Sequence, residues 1–324
     1  MGGGRAIELG LYFAVCRALE LDAALEWASG LGVRSVELSS HVSGRFDVDE
    51  MFEQGRIAAL REAVTNHGLR VSALNMSADG QLLLGPHHAD TDWIHVGDAA
   101  EKRAFAERRL RRVADLASEL EVPVVTGFVG CEDYSRWFPW PDAQAWDKME
   151  PGFVERVAPL LDHFSTRGVK FAMEPHPRQF VYNTETALRS VELLDGHPAW
   201  AFNLDPANLM LAGVDPVVFV AELGDRIANV HAKDAEVVPH NVARSGLLAG
   251  GAWTRPDRGF RFRVPGWGDV NWRRLITELS VRGYTGPLTV EHEDPTMGAR
   301  EGVHKAVGFL DPLLIREPTE EPWW

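Results

Sequence analysis

Short apolar runs and longer amphipathic segments alternate along most of the chain. The runs are rich in β-branched residues and have the length of buried β-strands. Eight of them are predicted as strands, at residues 7–13, 33–38, 69–75, 122–128, 169–174, 200–204, 227–231 and 288–291. Between the runs, apolar residues recur at helical spacing. Several predicted helices end at a glycine just before the next strand, among them Gly32, Gly68 and Gly168.

The alternation of strand and helix predicts parallel strand pairing with right-handed crossovers. Eight such units in a chain of 324 residues are typical of a (β/α)8 TIM barrel. An open doubly wound sheet is the alternative, but that fold usually has a glycine-rich turn after its first strand, and residues 11–20 contain no glycine. We therefore expect one α/β barrel domain over residues 1–324, with the barrel at 7–313 and a short tail at 314–324.

Three connections are too long for plain strand–helix turns: residues 77–97, 130–147 and 233–269. Each follows a predicted strand, so each is expected on the C-terminal face, where barrel enzymes build their active sites. All three contain tryptophan, and the tail ends in Trp323 and Trp324. These aromatic side chains fit a binding rim and fit contacts with one another or with a partner subunit equally well.

Composition and charge narrow the functional classes. Hydrophobic residues make up 45% of the chain, as in an ordinary globular protein, and the formal charge of −14 disfavours binding to a phosphate backbone. Cys16 and Cys131 are the only cysteines, which excludes a disulfide framework and suits the reducing cytoplasm. No window resembles a signal peptide or approaches the ~18 apolar residues of a membrane helix, so no membrane association is expected.

Four successive predicted strands end in side chains that bind metals. Strands five to eight end at Glu174, Asp205, His231 and Glu291. Consecutive barrel strands are neighbours, so these four side chains are expected to meet above the barrel axis. Burying three carboxylates together costs several kcal/mol unless a cation compensates them. The oxygen-rich set favours Mn²⁺ or Mg²⁺, with Co²⁺ and Zn²⁺ as alternatives.

The motifs around these strand ends resemble those of the sugar-phosphate isomerase/epimerase family, the xylose isomerase-like barrels. They are Glu174-Pro175-His176-Pro177, Asn203-Leu204-Asp205-Pro206, His231-Ala232-Lys233-Asp234, Pro265-Gly266-Trp267-Gly268-Asp269-Val270 and Glu291-His292-Glu293-Asp294. The resemblance implies that Glu174, Asp205, His231 and Glu291 hold a divalent ion, with Glu174 and Glu291 also taking part in catalysis. It further implies a sugar or keto-sugar isomerase or epimerase that removes a proton next to a carbonyl through an enediolate.

One position departs from the ketose 3-epimerase branch of that family. The branch has a second glutamate six positions after the first metal-binding one, and this chain has Phe180 there. His176 is the predicted substitute as general acid/base, because prolines on both sides restrict its backbone and its unperturbed pKa lies near neutrality. A hydrogen-bonding or packing role is the alternative.

Other polar residues near the strand ends are candidates for substrate binding. Lys233 and Arg263 are predicted to contact substrate oxygens or a phosphate-like charge, or else to be solvated cations or to pair with Asp234 or Asp269. Asn208 is predicted either to hydrogen-bond the substrate or to start a helix. Glu37, at the end of the second predicted strand, and His41, just after it, are weaker candidates for the pocket.

Three other functions stay open. The family resemblance also covers the larger subunit of C-glycoside deglycosidases, which cleaves 3-keto glycosides together with a small β-rich partner. The histidine in place of the second glutamate and the aromatic loops favour that branch. Related abasic-site endonucleases need more histidines than this chain supplies at its strand ends, and a non-catalytic barrel is the last alternative. An oligomer is expected, because barrels of this family often assemble.

Overall fold

The computed structural model describes residues 6–40, 46–138 and 140–317. His41, Trp323 and Trp324 lie outside the described residues. The strands are β1 (Glu8–Tyr12), β2 (Ser35–Ser39), β3 (Arg70–Asn75), β4 (Val124–Gly127), β5 (Lys170–Met173), β6 (Trp200–Leu204), β7 (Ile227–Ala232), β8 (Asp234–Val237), β9 (Phe260–Arg263) and β10 (Pro287–Val290).

Helices follow most strands. They are α1 (Leu21–Gly30), α2 (Val48–Glu53), α3 (Ile57–Asn66), α4 (Ser77–Gln81), α5 (Ala99–Glu119), α6 (Glu150–Thr166), α7 (Thr184–Leu193), α8 (Pro206–Leu211), α9 (Pro216–Leu223), α10 (Pro239–Ser245), α11 (Trp272–Val281) and α12 (Ala299–Leu310). No helix in the described ranges is long and apolar enough to cross a bilayer.

Eight strands form a closed barrel in the order β1-β2-β3-β4-β5-β6-β7-β10, with every neighbouring pair parallel. This confirms the predicted (β/α)8 fold and all eight predicted strands. The barrel order follows the chain order, so the carboxyl ends of all eight strands lie at the same end of the barrel.

The helices begin and end where local chemistry dictates. Helix α5 starts at a capping box, in which the Asp98 carboxylate accepts hydrogen bonds from Ala100 and Glu101, while the Glu101 carboxylate accepts one from the Asp98 N–H at 2.8 Å. Its apolar side packs on the barrel. Gly68 and Gly168 follow helices with φ of +69° and +67°, a conformation that favours glycine and turns the chain into the next strand.

Alternating strand residues point out to the helices and into the barrel. Trp200 and Phe202 are fully buried in the main core, whereas Ala172 and Ala201 belong to a separate cluster of small side chains. Gly10 has no room for a side chain, because a Cβ there would lie 2.9 Å from the Ser35 Oγ. Small residues thus fill the lower interior, and the polar side chains occupy the carboxyl end.

The connection after β7 contains structure that the sequence did not predict. Strands β8 and β9 pair antiparallel, with Asp234 opposite Arg263, and α10 lies between them. The buried Asp234 carboxylate fastens this hairpin to the barrel by accepting hydrogen bonds from the N–H groups of Gly266 and Val270 and from the Trp272 indole. The hairpin therefore stands beside the end of β7, next to the candidate site.

Candidate active site

A cavity of about 530 Å³ opens at the carboxyl end of the barrel. Its wall includes six of the predicted site residues, namely Glu174, His176, Asn208, His231, Lys233 and Glu291. Asp205 is fully buried beside them. The barrel thus brings together side chains at or just after the carboxyl ends of β5, β6, β7 and β10.

Three of the four predicted ligands form a compact group. One ligand atom each from Glu174, Asp205 and His231 lies within 4.8 Å of the other two, and all three residues are buried. The fourth, Glu291, contacts the same group, with its Oε2 3.1 Å from the His231 Nδ1. The Glu174 Oε2 lies 3.2 Å from that nitrogen. The Nδ1 atom therefore faces two carboxylates, and the amide nitrogen of Asn203 also lies 3.1 Å from it.

The other side of the His231 ring faces Glu37. The Nε2 atom lies 3.0 Å and 3.1 Å from the two carboxylate oxygens of Glu37, which is fully buried on β2. Burial alone would lower the pKa of His231, but the carboxylates of Glu37, Glu291 and Glu174 raise it well above its usual value. This shift shows how strongly the surrounding acids favour a positive charge at this place.

Lys233 supplies a second positive charge to the same acids. Its ammonium lies 2.8 Å from Asp205, 3.1 Å from Glu291 and 3.0 Å from Glu293. Burial opposes the charge, yet the carboxylates of these three acids hold the pKa of Lys233 well above its usual range. Lys233 is therefore protonated and tied to acids, rather than free to neutralise a phosphate.

Asn208 connects two of the predicted ligands. Its amide donates hydrogen bonds to the Glu174 Oε1 at 2.7 Å and to the Asp205 Oδ2 at 2.8 Å. The Asp205 Oδ1 in turn accepts from the Ala207 and Asn208 N–H groups and so caps helix α8. The buried Oδ1 of Asn208 has no hydrogen-bond partner among the described residues, which leaves an acceptor in the cavity wall.

His176 stands in the cavity wall two residues after Glu174. Its ring packs against Phe128, and desolvation by the surrounding wall lowers the pKa of His176 to about 4. The imidazole is therefore neutral at physiological pH and can accept a proton. Phe180 does not enter the cavity wall, because it is buried in a stack between Trp146 and Phe153.

Arg263 is not among the described residues that line this cavity. Its guanidinium pairs with Asp294 at 2.8 Å and with Glu236 at 3.0 Å, not with the Asp234 or Asp269 that the sequence suggested as bridging partners. It fastens the β8–β9 hairpin to the segment after β10.

The donor set fits a divalent cation. Glu37, Glu174, Asp205 and Glu291 place four carboxylates, each at most 11% exposed, close together, and the described positive groups that contact them are His231 and Lys233. Oxygen atoms with one imidazole nitrogen are a usual ligand set for Mg²⁺, Mn²⁺ or Zn²⁺. Glu174, Asp205, His231 and Glu291 would hold such an ion.

Sequence reasoning missed the residues that support these groups. Asn203 donates to the Glu174 Oε2 at 2.8 Å, and Asn229 donates to Glu37 at 2.9 Å and to Asn203 at 3.0 Å. Each asparagine stands two positions before a predicted ligand, Asp205 or His231, and so points to the same side of its strand. A polar residue at that spacing inside a buried strand was the available signal.

Comparisons with known proteins agree with this architecture. The sequence model of the xylose isomerase-like TIM barrel family matches residues 25–313. Among solved structures, a xylose isomerase domain protein from Planctomyces limnophilus superposes with a TM-score of 0.67 at 21% identity and covers 96% of this chain and 98% of its own. An IolI protein with a bound zinc atom gives 0.67 at 18% identity (95% and 98% covered), and a D-psicose 3-epimerase gives 0.64 at 16% (95% and 99%).

Two curated relatives match part of the sequence. The Bacillus subtilis (strain 168) protein YfiH is 34% identical over 144 residues, which are 44% of this chain and 45% of the relative. An inosose dehydratase of Clostridium tetani (strain Massachusetts / E88) is 28% identical over 131 residues, 40% of this chain and 42% of the relative. The chain thus matches less than half the length of either relative. The family match spans most of the barrel, and the chain belongs to the xylose isomerase-like TIM barrel family.

Proposed function

We propose that this protein is a divalent-metal-dependent enzyme that removes a carbon-bound proton next to the carbonyl of a sugar or keto sugar and thereby isomerises or epimerises it. The observation that carries the proposal is the group of Glu174, Asp205 and His231 atoms within 4.8 Å of one another, beside a cavity that also exposes a neutral histidine. The zinc atom in the IolI structure and the sugar epimerase among the structural neighbours support it.

The chain's own residues divide the work. A divalent ion, which we propose to be Mn²⁺, supplies Lewis-acid polarisation of the substrate carbonyl when it is bound by Glu174, Asp205, His231 and Glu291. His176 takes the proton from the neighbouring carbon, because its ring is neutral. The Oδ1 of Asn208, which has no partner among the described residues, accepts a hydrogen bond from a substrate hydroxyl, while Lys233 stays paired with Asp205, Glu291 and Glu293. The proton returns from His176 or from a facing group.

A lyase outcome is the second candidate, and the position of Phe180 favours it. With Phe180 packed in the aromatic stack, the cavity lacks the second glutamate of the 3-epimerases. A single base suffices when proton removal is followed by loss of a group on the next carbon. That loss would be of water in a dehydratase, as in the relative of that name, or of the aglycone in a C-glycoside deglycosidase. For the deglycosidase outcome we also propose a small β-rich partner subunit. We propose that the protein forms an oligomer with either outcome.

The two outcomes are separated by substrate and product. Purified protein supplied with Mn²⁺, Mg²⁺, Co²⁺ or Zn²⁺ is given free ketoses, a cyclic keto-polyol and a 3-keto C-glucoside, and the products are identified by NMR. Interconversion of free ketoses supports the isomerase. Release of water or aglycone supports the lyase. Failure of every substrate to exchange its α-proton with solvent deuterium, with metal bound, contradicts both.

Replacing His176 tests the base. We expect His176→Ala to keep the fold and the bound ion but to slow α-proton exchange by about 10²-fold or more, the usual worth of a positioned base. Solvent-deuterium incorporation into substrate is the measurement. His292→Ala is the matched control, since His292 lines the same cavity from the segment that follows β10. A His176→Ala exchange rate equal to that of the control removes His176 from this role.

A further inference from the structure

Glu37 has no assigned function, although it is among the most completely buried charged residues of the barrel. Its side chain is 0% exposed, and both carboxylate oxygens lie within 3.1 Å of the His231 Nε2. The two residues are 194 positions apart in the chain and face each other across the barrel interior. A buried carboxylate aimed at the ring nitrogen opposite a proposed metal-binding nitrogen calls for an explanation.

Every polar neighbour of Glu37 in the described structure is a donor. Thr126 donates its hydroxyl to the Oε1 at 2.5 Å, Asn75 donates to the same oxygen at 3.4 Å, and Asn229 donates to the Oε2 at 2.9 Å. These three bonds hold the carboxylate in one orientation. The remaining direction points at His231, where an ionised carboxylate accepts and cannot donate.

We propose that Glu37 is a positioning residue that keeps the proton of His231 on Nε2 and thereby leaves the Nδ1 lone pair directed at Glu174 and Glu291, where a divalent cation binds. The inference rests on the proposed function, because it takes His231 as a metal ligand. Carboxylates that accept from the second nitrogen of a metal-binding histidine fix the ring and its tautomer in this way.

The substitution Glu37→Gln distinguishes positioning from space filling. Glutamine has the same shape, but it presents one N–H₂ group to this set of donors. When the carbonyl of this glutamine accepts from Asn229, its N–H₂ group faces the Thr126 hydroxyl and the His231 Nε2. An N–H₂ group that donates to Nε2 favours the His231 tautomer with its proton on Nδ1. That proton blocks the proposed ligand atom.

We expect Glu37→Gln to fold and to bind Mn²⁺ about 10- to 100-fold more weakly than the parent protein, as is usual when such a carboxylate is lost. Metal affinity is measured by competition with a chelator, without substrate. Nitrogen NMR of the metal-free protein, followed to alkaline pH until the ring is neutral, reports which nitrogen keeps the proton. The parent should keep it on Nε2, and the variant should shift it toward Nδ1.

Two other variants calibrate the result. Thr126→Val removes one donor to Glu37 but keeps the carboxylate, so its loss of affinity should be smaller. Glu8→Gln changes a carboxylate near the amino end of β1, where it pairs with Arg70, and should leave affinity unchanged. Parent-like affinity in a folded Glu37→Gln overturns the inference, and so does a weaker affinity with the proton still on Nε2.

The parent protein alone keeps the inference testable if Glu37→Gln does not fold. A neutral His231 that carries its proton on Nδ1 in the parent overturns it. The outcome is also separate from that of the proposed function. If the parent binds no divalent ion, the proposed function fails first. If the parent binds an ion and Glu37→Gln binds it equally well, only the role of Glu37 fails.

Discussion

Two acidic clusters in this protein differ in how their charge is compensated. The first lies among α2, α4 and α5, where the guanidinium of Arg109 binds Asp47 at 2.8 Å, Asp49 at 3.0 Å and Asp79 at 3.0 Å. Arg112 also binds Asp49, at 2.9 Å. Asp47 and Asp49 are 41% and 32% exposed, so water shares the remaining charge. This cluster is compensated by the chain and the solvent, and it ties three helices together.

The second cluster lies at the carboxyl end of the barrel. Glu37, Glu174, Asp205 and Glu291 are 0%, 5%, 0% and 11% exposed, so water compensates them little. His231 and Lys233 contribute at most two positive charges to these four carboxylates. Acid clustering alone therefore does not identify a functional site. The excess of buried carboxylates over buried cations distinguishes the second cluster as the candidate site, because that excess is costly unless an external cation compensates it.

The largest effect should come from breaking the second cluster at Glu174. We expect Glu174→Gln to lose the stoichiometric metal ion and about 10³-fold or more of the activity, since Lewis-acid stabilisation is worth several kcal/mol. Metal analysis of protein loaded with Mn²⁺ and removed from excess, together with turnover of the active substrate, gives both values. Asp79→Asn, the same kind of change in the first cluster, should keep the ion. Equal metal content in the two variants contradicts the distinction.

Breaking the first cluster should affect stability and leave metal binding intact. Arg109→Met removes the guanidinium that pairs with the fully buried Asp79, and the loss of one partner of a buried ion pair costs about 3–5 kcal/mol. Urea unfolding measures the free energy. Adding Asp79→Asn to Arg109→Met should recover part of the loss, because the uncompensated charge is gone. A metal affinity that falls along with stability would show that the two clusters are coupled.

The smallest expected effect is on the free energy of unfolding at low pH. Hydrogen bonding to Arg109 lowers the pKa of Asp47, against the effect of its partial burial. A carboxyl whose pKa is lower in the folded state stabilises the fold above its unfolded pKa and loses that contribution as pH falls through its folded pKa. Below about pH 4 the parent should therefore lose this part of its stability. Asp47→Asn should show a flatter decline in unfolding free energy across that range, and an equally steep decline would contradict the assignment.

The barrel was predictable because its pattern is local. The predicted strand at 200–204 coincides with β6, and the predicted strand at 227–231 differs from β7 only by the inclusion of Ala232. The hairpin was not predictable in the same way. Strand β9 reads Phe-Arg-Phe-Arg, and its pairing with β8 depends on contacts across more than twenty intervening residues. Such pairings leave a weaker trace in the local sequence than a buried strand does.

In the candidate site, too, some residues were predictable from the local sequence and others depended on tertiary packing. Glu174, Asp205, His231 and Glu291 could be named from the sequence, because each directly follows or ends an apolar strand and a barrel brings neighbouring strand ends together. The roles of Arg263 and Lys233 could not be read in this way. A long cationic side chain reaches several acids, and only packing decides that Arg263 pairs with Asp294 and Glu236 while Lys233 pairs with Asp205, Glu291 and Glu293.

By itself, the sequence determined the eight strands, the class of fold and the strand ends that bear acids and a histidine, since hydrophobic periodicity is set by neighbouring residues. Only the tertiary structure decided that Glu37 meets His231 across 194 positions and that Phe180 turns into an aromatic stack. The reason is physical. Closure of the barrel sets which interior side chains face one another, and that closure is a property of all eight strands at once.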